Sequence, residues 1–113
     1  MGFPAFPSEI VLILEPRIAS LSSLERVQLA HAYFALGRVT DGKEQWEKAI
    51  ASEPQLDNPI SQFDLGEQLL KSGALNAALP HLQRAYELDP QNVTYRMDYE
   101  SVRQQLNQHR DTK

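Results

Sequence analysis

Apolar, small and bulky positions return along this chain at one fixed distance. Leu29, Ala30, Gly37, Trp46, Ala49 and Pro54 have counterparts in Leu65, Gly66, Gly73, Leu82, Ala85 and Pro90, each 36 positions later. Self-similarity with a period of roughly 20–50 residues marks chains whose units bury their apolar faces only by stacking on one another. The pattern points to a binding scaffold and names no partner.

Helix ends are marked between these positions. Ser22-x-x-Glu25 has the spacing of a capping box, and Gly37 stands where a left-handed residue closes a helix, which predicts a first helix over 23–36. Thr40 can cap a second helix running to about Ser52, with Asp41 and Glu44 in its first turns where the macrodipole favours acids, and Pro54 ends it. The signals then return. Asn58 is a good cap with Pro59 at the first helical position, Gly73 closes that helix, and Asn76 can open a fourth that stops before Pro90. Counted from Asn76, Pro80 falls in the first turn, where its missing donor costs little. Asn92 caps a last helix from Val93 to about His109, leaving 110–113 as a frayed tail. Five helices with short loops and no alternating strand pattern predict an all-α antiparallel stack. Small Ala30, Ala49, Gly66, Ala78 and Ala85 allow close approach, and Tyr33, Trp46, Leu69 and Leu82 supply bulk opposite them.

This arrangement resembles the tetratricopeptide repeat, a helix-turn-helix unit of about 34 residues carrying a Leu-Gly pair, a Tyr, an Ala, an aromatic, an Ala and a Pro. The first copy spans 23–56, with Leu29-Ala30, Tyr33, Gly37, Trp46, Ala49 and Pro54 on the family's positions. The second spans 59–92, with Leu65-Gly66, Leu69, Gly73, Ala78, Leu82, Ala85 and Asp89-Pro90. Two inserted residues account for the longer offset. Gly42 occupies a place where the family prefers alanine, a helix-weakening choice worth about 1 kcal/mol. The last helix, 93–109, has an apolar stripe of Tyr95, Tyr99, Val102 and Leu106, but Arg96, Glu100 and Arg103 stand where a following helix would pack. It resembles the solvating helix that closes such arrays. The resemblance implies a helical repeat array, an α-solenoid, over residues 22–109.

It also implies where a partner would bind. The family's usual ligand surface is the concave face lined by the first helix of each repeat. By position that face comprises Leu24, Val27, Gln28, His31 and Phe34 in the first copy, and Ile60, Phe63, Asp64, Glu67, Leu70 and Lys71 in the second. Some members hold a terminal carboxylate there with a basic clamp. Here the corresponding places are Val27, His31, Phe63 and Glu67, two apolar and one an acid that repels a carboxylate, so no such clamp is expected. The expectation is a mainly apolar groove for a partner's amphipathic helix or extended segment. The competing expectation is that these residues bury one another or are covered by the N-terminal segment.

Bulk composition changes this picture little. The chain has 113 residues with an ordinary globular balance, and 11 basic against 15 acidic residues give a net charge of −4 with no block of like charges. Nucleic acid and anionic lipid are not expected partners. There is no cysteine, hence no disulfide, thiolate catalysis or cysteine-bound zinc. His31, His81 and His109 are far apart with no ligand-spaced companion, and Asp64 and Glu67 share a helical face as any solvated pair would, so neither a metal site nor catalysis is expected. Gly37 and Gly73 are isolated terminators, not a phosphate loop. No cofactor is implied. Met1-Gly2 begins like a myristoylation site, but Phe6 stands where Ser or Thr is needed. With no targeting or membrane-spanning segment, the expected compartment is the cytoplasm.

The N-terminal segment, 1–21, is the open question. Repeat arrays usually need three units, and this chain has two and a closing helix. Phe3, Phe6, Ile10 to Leu14, Ile18 and Leu21 are too apolar for a tail, although Pro4, Pro7 and Pro16 restrict them. With Ser8 as cap, Glu9 to Leu14 can form a short helix ending near Pro16. Three placements follow: a preceding helix on the first repeat, an element exchanged with a second copy to make a homodimer, or an occupant of the chain's own groove.

Overall fold

The computed structural model describes residues 6–111, and side chains through residue 108. Residues 1–5, including Phe3 and Pro4 of the apolar segment and the Met1-Gly2 start, lie outside the described residues, as do Thr112 and Lys113 and the His109 side chain. The described residues form six α-helices and no strand: α1 (Pro7–Leu14), α2 (Ser23–Ala35), α3 (Val39–Ser52), α4 (Pro59–Lys71), α5 (Leu75–Leu88) and α6 (Val93–Asp111). A 3₁₀ turn, Glu15–Ser20, follows α1, and another, Pro54–Leu56, follows α3. The chain divides into two compact units, Met1–Leu56 and Asp57–Lys113.

In the first unit α2 and α3 form a hairpin. The capping box is present: Glu25 N–H donates to Ser22 Oγ at 3.2 Å, and Ser22 N–H donates to Glu25 Oε1 at 3.0 Å. The Ser22 bonds hold the Glu25 carboxyl below its ordinary pKa. Gly37 closes α2 at φ 78°, with its own N–H on the Phe34 carbonyl and the Arg38 N–H on the Tyr33 carbonyl at 2.8 Å. This paired-bond ending satisfies two of the last carbonyls. The interior holds Leu29, Ala30, Trp46 and Ala49, and Arg26 Nη1 donates to Gln45 Oε1 at 2.7 Å across the hairpin.

Of the N-terminal segment, α1 and the 3₁₀ turn after it precede α2, and α1 packs against it. Val11 and Leu14 join Leu21, Leu29, Ala32 and Tyr33 in one apolar cluster, with Ile10 and Ile18 at its margin. A polar contact pins the segment's far end. The Tyr33 hydroxyl donates to Glu15 Oε2, Arg38 Nη2 reaches the same oxygen at 3.2 Å, and the Arg38 guanidinium lies 4.4 Å above the Tyr33 ring. Burial, then the Glu15 carboxylate, pushes the Tyr33 phenol up to about 12.

The second unit repeats the hairpin as α4 and α5 and adds α6. Asn58 Oδ1 accepts from Ser61 N–H at 2.8 Å with Pro59 opening the helix, and Asn92 Oδ1 accepts from Tyr95 N–H at 3.1 Å at the start of α6. Gly73, at φ 80°, closes α4 with the same pair of bonds as Gly37. Leu65, Leu69, Ala78, Leu82 and Ala85 are fully enclosed, and Val102 brings α6 into this core, where Tyr99 stacks on Tyr86 at 5.8 Å. Asp57 accepts from Arg84 Nε at 3.1 Å and Nη2 at 2.8 Å, which holds its carboxyl below the usual range.

Four local expectations are corrected. Thr40 and Asn76 do not cap; the N-caps are Arg38 and Ala74, without side-chain cap bonds. The left-handed glycine delivers the chain straight into the next helix, so Thr40 and Asn76 already lie within α3 and α5. Pro80 is consequently the sixth residue of α5 rather than part of its first turn. It removes a donor to the Asn76 carbonyl, and both residues are exposed, so that carbonyl can be hydrated. Ser8 is not a cap either: Phe6 is, because Pro7 with its preset φ begins α1 two residues earlier.

Candidate functional site

The predicted face residues in the first unit fall on one stripe of α2. Leu24 is 69% exposed, Val27 half-buried, and Gln28 and His31 exposed, with the His31 ring edge-on to Trp46 at 4.6 Å. Phe34 is a correction to that face. It is 7% exposed, 6.5 Å from the Trp46 ring, and belongs to the interior of the hairpin. Gly42 explains why. A Cβ on Gly42 would stand 3.0 Å from the Phe34 ring and 3.1 Å from the Ala30 carbonyl oxygen, so the bare backbone of α3 makes the space that the ring fills.

Gly42 therefore serves packing rather than being a weak helix position. Gly42→Ala should gain about 1 kcal/mol in helix propensity but lose more to the ring and carbonyl, ending slightly destabilised. In a Phe34→Leu background the same substitution should become neutral or stabilising, which paired thermal melts will show.

In the second unit two of the predicted residues, Phe63 and Glu67, meet α6. Ile60 is 74% exposed, Phe63 and Leu70 are half-buried, and Lys71 is exposed. The Phe63 ring lies against Tyr95 of α6, centroids 4.7 Å apart. One turn further on, Glu67 faces Asp98 of α6. Glu67 Oε1 is closed to water and has no hydrogen-bond partner. Burial, then Asp98, raises the Glu67 carboxyl to about 7; Lys71 opposes the shift and Asp64 adds to it. Met97, beside Asp98 in sequence, is 60% exposed. Exposed Ile60 and half-buried Phe63 thus share α4 with Asp64 and Glu67, and α6 adds Asp98 opposite Glu67.

Sequence reasoning placed Ile60, Phe63, Asp64 and Glu67 on this face but missed Asp98 and Met97, which the last helix supplies. The signal was present: Asp98 follows Asp64 by 34 residues, the family's own period. A second echo was also missed. Arg26–Gln45 in the first hairpin recurs as Gln62–His81 in the second, where Gln62 Oε1 lies 2.8 Å from His81 Nδ1, and both partners are shifted by 36.

Among the described residues no group of three or more histidine, cysteine or acidic side chains could hold a metal ion, and no helix is long and apolar enough to cross a membrane. The outer face of α3 forms a shallow depression lined by Lys43, Glu44, Glu47 and Lys48, whose ion pairs at 3.1 and 3.2 Å make it an ordinary solvated helix surface.

No curated protein matches this chain. A family model described as tetratricopeptide repeat matches residues 27–93, from the second turn of α2 to the first residue of α6, well over half of the 113 residues. The two glycine-closed hairpins, the small-against-large interiors and this match agree: the chain belongs to the tetratricopeptide repeat family.

Proposed function

We propose that the chain is a non-catalytic adaptor or assembly module that takes a partner's peptide or helix on the outward face of α2 in the first unit or of α4 in the second. Repeats of this family generally mediate protein–protein interaction. The observation that carries the reading is Leu24 and Ile60. These two large apolar residues occupy the same place in their repeats, 36 positions apart, and both are left about three-quarters exposed. A single exposed leucine needs no explanation, whereas one repeated at the equivalent position is what a ligand-reading surface requires. Val27, His31, Phe63, Glu67, Leu70 and Lys71 complete the faces.

Leu24→Ser combined with Ile60→Ser should abolish capture of partner proteins on an affinity resin while moving stability by less than about 0.5 kcal/mol. Retained capture by the double variant would refute the reading. Phe34 is unsuited to this test because its replacement disturbs the α2–α3 interior.

A second reading, self-association through the N-terminal segment, draws on a different surface. Val11 and Leu14 face α2, but Phe6, Leu12 and Ile13 on the other side of α1 are exposed. If two copies meet there, the mass in solution rises with concentration and Leu12→Glu returns it to that of one chain.

A further inference from the structure

The exposed apolar residues of α4 and α6 border an acidic cluster, and the two together define the partner's chemistry. Ile60, Phe63, Asp64 and Glu67 fall at positions i, i+3, i+4 and i+7 along one side of α4. Asp98 faces Glu67 from α6, and Met97 stands exposed beside it. The charges are arranged with one sign. Asp64 and Asp98 add to the charge on Glu67 and Lys71 opposes it, while Arg96 and Arg103 follow on the opposite flank of the buried Tyr95–Val102 stripe from Asp98. An ordinary solvated acidic surface would hydrate all its carboxylate oxygens. Here Glu67 Oε1 is shut off from water with no hydrogen-bond partner, Glu67 is paired with another carboxyl, Asp98, and Lys71 is the cation that opposes them, so the face keeps an excess of negative charge.

We propose that this face takes a basic amphipathic segment, seating its apolar side chains on Ile60, Phe63 and Met97 and a lysine or arginine against Asp64, Glu67 and Asp98. The proposal rests on the interaction reading above and adds the class of partner. A cation brought to the open side of the Glu67–Asp98 pair offsets the negative charge that the pair carries, in surroundings that water screens incompletely. An acidic segment meets the same apolar residues and is repelled. The selectivity is therefore opposite to that of a basic clamp for terminal carboxylates.

Two fluorescein-labelled peptides of about 18 residues, with leucines at identical helical spacings and either lysine or glutamate at every polar position, provide the test by anisotropy. The lysine peptide should bind at least about tenfold more tightly near 20 mM salt, with the advantage shrinking near 300 mM. Glu67→Gln with Asp98→Asn should remove most of that preference. At about pH 8, where Glu67 is mostly ionised, Glu44→Gln with Glu47→Gln makes nearly the same change in net charge on α3 and should leave the preference intact. Circular dichroism melts establish that each variant is folded. Equal binding of the two peptides overturns the proposal, as does an equal effect of the two double variants, which would assign the preference to net charge alone. If both peptides bind equally and Ile60→Ser releases both, the interaction reading stands and the basic-partner inference falls; if neither binds, both fall.

Discussion

Valine in place of Gly66 should disrupt the α4–α5 hairpin, at a cost of about 3 kcal/mol or more, and alanine there should cost about 1–3 kcal/mol. A Cβ built on Gly66 falls 2.6 Å from Leu82 Cδ2, 2.8 Å from Leu82 Cγ and 3.3 Å from the Leu82 backbone nitrogen. Those separations lie well inside van der Waals contact. Leu82 has nowhere to go, because it is fully enclosed among Leu65, Leu69, Ala78 and Ala85. Relief must come from moving α5 away from α4, which opens the interior that holds the unit together. The sign is informative because intrinsic propensity points the other way, alanine being the better helix former by about 1 kcal/mol. Urea melts of Gly66→Ala, Leu82→Ala and the double variant separate the two effects. Leu82→Ala alone leaves a cavity costing about 2–5 kcal/mol, and the added methyl of Gly66→Ala partly fills it, so the double variant should cost clearly less than the sum. A Gly66→Ala protein that melts later than the parent would show that close approach at this crossing is not what the glycine provides.

The repeat period made the hairpins legible because it reports positions that must be small, bulky or left-handed, and these are set by one repeated geometry. Cap positions were less legible. Thr40 and Asn76 are good capping residues by type, yet the bonds made by Gly37 and Gly73 place the helix starts at Arg38 and Ala74, so three-dimensional continuity overrides side-chain preference. Phe34 was misplaced for a related reason. Its direction depends on the absence of a side chain at Gly42, eight residues later and on another helix. At the candidate site, α4 displays its own residues at helical spacing and these could be read directly. Asp98 and Met97 required knowing that the last helix lies against α4 as well as α5, which the Phe63–Tyr95 and Tyr86–Tyr99 ring contacts show.

The Glu67–Asp98 pair predicts an unusual stability profile between pH 5 and pH 8. Glu67 has a folded-state pKa of about 7 against an ordinary 4.5, so the native protein binds a proton that the unfolded chain releases. That contribution is present in full below the unfolded value and is lost as pH rises through about 7. The second unit should therefore be more stable at pH 5 than at pH 8, by about 1–2 kcal/mol once partial water access to the carboxyl is allowed for. Most carboxylates act in the opposite sense. Asp57, held low by Arg84, loses its contribution only as pH falls through the acid range, outside this window. Glu67→Gln keeps a neutral side chain at every pH, so it should match the parent near pH 5 and exceed its stability near pH 8, flattening the profile. Asp98→Asn should reduce the slope without abolishing it, because burial is the larger cause and the Asp98 charge the smaller. Lys71→Met should steepen it by removing the one cation that favours the ionised form. Urea midpoints across this range for the four proteins decide the matter: a parent whose stability is level or rises toward pH 8, or a Glu67→Gln variant with the parent's slope, would place the controlling proton elsewhere.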